Sequence, residues 1–162
     1  MAGLSFSVFK DKILDGSKRQ TIRAIRKNPI KEGETLYLWW KQRSPERKKL
    51  GNATCESVRK VVIYEDHILC EDCFFPDQYE LIDHPDSLQN FAIADGFEGW
   101  NDLLNFFQHT HGLPFKGVLI EWDGIISDPD PELVEALNDW SFRTDYRGND
   151  ENGSLRVQVQ IC

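Results

Sequence analysis

The chain has 162 residues, 40% of them apolar, with five tryptophans and a formal net charge of −8. That length and content predict one folded domain with an adequate core and room for an appendage. No apolar run approaches the ~18 residues a spanning helix needs, and polar side chains interrupt Met1 to Lys12, so no membrane span or secretory leader is expected and a cytoplasmic protein is predicted.

Charge is unevenly spread. Residues 1–60 hold 15 Lys/Arg against 6 Asp/Glu, and residues 61–162 hold 4 against 21. A negative total argues against a protein that coats nucleic acid. The asymmetry predicts one positive surface on an acidic body, where a phosphate-bearing partner can dock, or else two halves that neutralise each other in the fold.

Leu4-Ser5-Phe6 alternates and predicts a first strand. Ser7 is a good N-cap, and Val8, Phe9, Ile13 and Leu14 form an apolar stripe, which predicts a helix over 8–15. Gly16 supplies the left-handed residue that ends it. Lys18, Thr21 and Arg23 follow closely. If that segment is extended, Thr21 and Arg23 share one face, Ile22 takes the other, and Lys18 reaches round on its long stem. An amine, a hydroxyl and a guanidinium around one spot suit an anionic or carbonyl-rich ligand. The same residues also read as a solvated basic turn after a helix.

Arg26 to Pro29 reads as a loop and Lys31 to Glu34 as a turn. Thr35 to Trp40 is a strand by its β-forming residues, with Leu36 and Leu38 on one face and Tyr37 and Trp39 on the other. Two apolar faces predict a barrel strand or one covered on both sides. Lys41 to Lys49 is the densest basic run, a hairpin tip or an arm for a nucleic-acid backbone. Ala53 to Tyr64 predicts a strand bent near Arg59-Lys60, and His67 to Leu69 begins the return. Phe74 to Ile82 reads as a loop and then a short strand.

Asp86 or Ser87 is the expected cap of a second helix. Leu88, Phe91 and Ala92 form its stripe, and the next member of the series is Asp95. A carboxylate there faces inward, where it is paired or its pKa rises through desolvation, unless it lies in a fraying last turn. Trp100, Leu103, Leu104 and Phe107 mark a third helix, stopped at Gly112. His109 and His111 suit its C-terminal dipole rather than catalysis. Phe115 to Trp122 predicts the last strand of the main body. Asp130 and Pro131 then start a helix over about 131–140, and alternation from Leu155 to Ile161 predicts a strand over about 154–161. Cys55, Cys70, Cys73 and Cys162 make no disulfide framework. His67, Cys70, Cys73 and His84 can be drawn as a zinc site, but the spacing matches no common finger, and ordinary buried thiols are expected.

The run Ile13 to Arg23, with its Gly-x-Lys-x-x-Thr-Ile-Arg pattern, the Gly33-Glu34-Thr35-Leu36 strand and Ala94-Asp95-Gly96-Phe97 before a Trp100-bearing helix together resemble the ASCH domain family of the PUA-like superfamily. The resemblance covers about residues 3–123. It implies an α+β fold, a small PUA-like β-barrel with two to three flanking helices. Residues 1–123 would form this domain and 124–162 a C-terminal helix–strand extension able to serve as an oligomer contact.

The resemblance implies RNA or modified-nucleoside binding in a cleft lined by Lys18, Thr21, Arg23 and Asp95. Arg19, Lys41 and Arg43 are added as ligand-binding candidates. Some members resemble amidohydrolases that deacylate N4-acylcytidine nucleosides, with a lysine, a threonine and an acidic residue as the catalytic set. Carried over, these are Lys18, Thr21 and Asp95. The enzyme members usually have glutamate at the acidic position, and a misplacement near 1 Å can cost about 100-fold in rate. The shorter Asp95 therefore puts binding ahead of hydrolysis. A non-enzymatic interaction module and a ribonuclease are further alternatives, the latter lacking a histidine pair near Lys18. No metal or other cofactor is expected.

Overall fold

The structure is a computed structural model, and it describes residues 2–124 and 126–135. The fold is α+β with mixed strand pairing. It divides into two compact units, each assembled from separate stretches of chain. Among the described residues, the first holds 2–17, 35–54, 123–124 and 126–135, and the second holds 18–34 and 55–122.

In the first unit, β1 (Ala2–Phe6) lies parallel to β3 (Thr35–Trp40), which pairs antiparallel with the N-terminal part of β4 (Lys48–Ile63). Alternation sends Leu4, Leu36 and Leu38 into the core, where all are fully buried. Tyr37 and Trp39, on the opposite face, stay half-buried, so β3 is sealed on one side only. Helix α1 (Lys10–Leu14) is shorter than predicted. Ser7 does not cap it; Phe9 stands at the N-cap position, at φ 66° and with no side-chain capping bond, because β1 stays paired as far as Phe6 and the chain must bend before it can coil. Gly16, at φ 82°, ends it as expected.

The basic run 41–49 is shorter as a loop than the sequence suggests, since Lys48 and Lys49 pair with Trp40 and Trp39 and begin β4. Its charges meet acids. Lys41 pairs with Glu46, Lys48 with Glu132 at 2.5 Å and Lys49 with Asp128 at 2.6 Å. Asp130 caps residues 131–135, which are helical, by accepting from Glu132 N at 3.0 Å. Ile126 and Leu133 are buried in this unit. The rest of the predicted 131–140 helix and the predicted 154–161 strand lie outside the described residues.

In the second unit an antiparallel sheet runs in the order β2 (Gln20–Arg23), β7 (Phe115–Trp122), the C-terminal part of β4, β5 (Ile68–Glu71) and β6 (Tyr79–Ile82). Its end strands β2 and β6 do not pair with each other, so the ladders draw an open sheet where a small barrel was expected. The irregularity in β4 falls between Cys55 and Ser57, not at Arg59-Lys60. Two helices, α2 (Pro85–Ala94) and α3 (Trp100–Thr110), stand between β6 and β7 in the chain. Helix α2 is capped by His84, whose Nδ1 accepts from Asp86 N, and neither Asp86 nor Ser87 takes that place. Pro85 pre-sets the first helical φ, so the helix starts earlier than the polar pattern suggested. Leu88 and Ala92 of α2 and Leu103 and Phe107 of α3 are buried, as their spacing required.

Candidate binding site

The site is built in the second unit where the end of α2 meets the approach to β2. Helix α2 closes with Asp95 as C-cap and Gly96 at φ 103°, the left-handed step a glycine takes without strain. A helix end leaves backbone carbonyls without intrahelical partners. Asp95 O is one of these, and the Lys18 ammonium donates to it in a short hydrogen bond. Lys18 Nζ also donates to Gln20 O at 2.7 Å and stands 3.6 Å from Asp95 Oδ2. A cation at a helix C-terminus meets the negative end of the dipole, which favours this placement.

Lys18 is 2% exposed and Asp95 4% exposed, so both sit away from water. Burial pushes the Asp95 carboxyl up to about 6, against the opposing pull of Lys18 and Arg23. Arg23 is also displaced downward by burial, with Asp95 acting the other way and Arg26 reinforcing the fall. Arg23 Nε donates to Thr21 Oγ1 at 3.2 Å, which puts Thr21 and Arg23 on one face of β2 as alternation required. Thr21 is 5% exposed, whereas Arg23 is only half-buried and marks the side of the site nearest solvent.

Gln20 belongs to this cluster and was not among the residues singled out from the sequence. Its carboxamide lies close enough to help hold the Asp95 carboxylate down. Neither Gln20 Nε2 nor Asp95 Oδ1 completes a hydrogen bond, although both atoms are buried. Alternation along β2 puts Gln20 with Ile22 on the face opposite Thr21 and Arg23, so no local period pointed to it.

Of the predicted residues, Lys18, Thr21, Arg23 and Asp95 come together. Arg19 is exposed between its buried neighbours, and its carbonyl accepts from Trp122 N at 2.9 Å. Lys41 and Arg43 belong to the first unit, in the turn between β3 and β4, and the cluster is built without them. His67 bonds Asp66 through Nδ1 at 2.6 Å and stacks on Tyr64, while Cys70 is buried in β5. Among the described residues no group of three or more His, Cys, Asp or Glu is arranged to hold a metal ion. Burial raises the Cys55 and Cys70 thiols to about 11, which keeps them protonated at neutral pH. No helix among the described residues is long and apolar enough to cross a membrane.

The Lys18 side-chain nitrogen is surrounded by oxygens, the carbonyls of Gln20 and Asp95 and the Asp95 carboxylate. A scan against protein-family models, a search of curated proteins and a search of solved structures each found no match to this chain.

Proposed function

We propose that this chain is an ASCH-like protein of PUA-related fold that binds RNA or a modified nucleoside through Lys18, Gln20, Thr21, Arg23 and Asp95. One observation carries the reading. Around the end of α2 the chain gathers an ammonium, a carboxamide, a hydroxyl, a guanidinium and a carboxylate from Lys18, Gln20, Thr21, Arg23 and Asp95. Such a set offers donors and an acceptor to a polar ligand. The adjacent donor and acceptor of an aminopyrimidine edge complement the carboxylate and the carboxamide, with the exocyclic amine directed at Asp95 and a ring acceptor at Gln20. Arg23, on the wetter side, is suited to a phosphate or a carbonyl. The resemblance in the Lys18–Arg23 run and at Asp95 supports the same ligand class.

Hydrolysis of an N4-acylated cytidine is the second reading. It is favoured by one feature, a carboxyl at about 6, close to the pKa that a general base needs near neutral pH. In that reading Asp95, not Lys18, takes the proton from Thr21 or from water.

The test is calorimetric titration of the full chain with cytidine, N4-acetylcytidine and a short single-stranded RNA, with chromatography of the same mixtures. Wild type is expected to bind at least one of them. Gln20→Leu is expected to weaken that binding about tenfold or more, because it removes a donor from the ligand-facing set. Wild-type protein that binds none of these compounds overturns the proposal. Turnover lost in Asp95→Asn shifts it to the hydrolase reading.

A further inference from the structure

The hairpin between β5 and β6 pushes large apolar side chains into water. Phe74 is 84% exposed, Phe75 58%, Tyr79 46% and Leu81 54%. The turn that carries them is well tied. Asp72 Oδ1 accepts from Phe74 N at 2.7 Å and Phe75 N at 3.1 Å, Gln78 N donates to Phe75 O at 3.1 Å, and Asp72 N donates to Gln78 O at 2.8 Å. The backbone thus holds the phenylalanines outward through a defined set of bonds. Clustered apolar surface of this kind marks an interaction site more often than a solvated face.

The strand that follows is an edge. Among the described residues, β6 pairs with β5 along one side only. Proteins usually blunt such an edge with lysine, proline or a covering element. The residues of β6, Tyr-Glu-Leu-Ile, include neither lysine nor proline. Beside it runs a groove of about 450 Å³, lined by Glu80, Leu81, Ile82 and Asp83 from the strand side and by Ser87 and Phe91 of α2.

Charge specifies the occupant. Between Val61 and Phe115 the chain has 11 Asp/Glu and no Lys or Arg. Lys60 meets two of these acids, Glu71 at 4.0 Å and Asp77 at 3.5 Å, whereas Glu80 and Asp83 are exposed in the groove itself. We infer that the open edge of β6 docks an extended, lysine- or arginine-rich segment of a partner protein. The segment adds as a strand beside Tyr79–Ile82, sets its apolar side chains on the Leu81 face and its cations on the opposite face with Glu80, and Asp83 adds to the negative field at the strand's end. Main-chain bonds give such a complex its register, and the alternating side chains give it specificity. This surface is separate from the Lys18–Asp95 cluster and does not depend on what that cluster binds.

The probe is a capped peptide of alternating lysine and valine, with the glutamate–valine peptide as control, titrated into the ¹⁵N-labelled full chain. Saturable binding of the lysine peptide is expected, with shifts concentrated on the amides of Tyr79–Ile82 and none from the glutamate peptide. The Glu80→Lys/Asp83→Lys double variant should bind about tenfold more weakly, since complementary charge becomes like charge. Phe74→Ser, at a side chain almost wholly in water, should retain the wild-type melting temperature and also weaken binding. Failure to saturate, equal binding of both peptides, or shifts centred away from β6 overturns the inference. A concentration-dependent dimer in light scattering that Phe74→Ser abolishes also overturns it, and assigns the edge to a second copy of the chain.

Discussion

Asp95 does two jobs that pull against each other. Its carbonyl anchors Lys18, and its carboxylate carries a charge into a place with little water. Folding raises this carboxyl to about 6 from an ordinary 3.8. Between those values the folded chain holds the proton more tightly than the unfolded one, so the stability linked to this group is greatest below about pH 4 and is lost as pH rises through about 6. Urea unfolding at about pH 4 and about pH 7 checks this: relative to Asp95→Asn, wild type should lose stability on going to the higher pH. A gap between the two proteins that does not change with pH would contradict a raised carboxyl. The opposing partner, Lys18, has its cost of burial met by two carbonyls and a carboxylate. Lys18→Met is therefore expected to destabilise the fold by about 3–5 kcal/mol at neutral pH, the usual result of leaving one buried charge without its partner, and by less at pH 5 as Asp95 takes up a proton. Differential scanning calorimetry at the two pH values measures both effects.

Among the elements, β2 is the one whose placement decides the site, and it is held by close approach. A Cβ added at Gly117 of β7 would stand 2.4 Å from Arg23 O and 2.7 Å from Phe115 Cε1. Backbone cannot give way as a flexible side chain does. Gly117→Ala is therefore expected to cost about 1–3 kcal/mol and to shift β2, weakening ligand binding through Arg23 without touching a ligand-facing atom. Urea midpoints combined with the titrations described above read out both. The element-level reading of the sequence succeeded where periodicity was strong: Thr35–Trp40, Trp100–Thr110 and Phe115–Trp122 stand where alternation or the helical stripe put them. It missed where a local cue was overridden. Ser7 is a better cap than Phe9 by side-chain chemistry, but the β1–β3 ladder extends through Phe6 and moves the helix start. Pro85 drew α2 upstream of the polar residues expected to cap it.

For the molecule as a whole, the charge asymmetry resolves partly into internal pairing. Lys48 and Lys49, from the basic half, meet Glu132 and Asp128 from the acidic half. Exposed pairs of this kind contribute about 0–1 kcal/mol each, so their larger consequence is to remove charge from the surface expected to attract nucleic acid. The residues after Trp122 are joined to the first unit by more than charge. Asn52 and Ser127 exchange backbone bonds at 2.7 and 3.0 Å, and Ile126 and Leu133 are buried. A chain ending at Trp122 loses the burial of both side chains, about 1.5–3 kcal/mol apiece, and should unfold at a clearly lower urea concentration. An unchanged midpoint would show that this stretch is accessory to the fold.

The sequence by itself determined which residues alternate and which form apolar stripes, because periods of 2 and 3.6 are local properties. It left Asp95 between an inward place and a fraying last turn, and Thr21 and Arg23 between a shared strand face and a solvated turn; the fold decided both. Tertiary structure alone decided that Lys18 caps α2 across 77 positions of chain, that Gln20 joins the cluster, that Arg19 is left outside it, and that β2 and β6 end an open sheet. Those outcomes depend on which carbonyl a buried ammonium can reach and on which strand edges find a partner. Both are set by contacts between distant residues, and no local period records them.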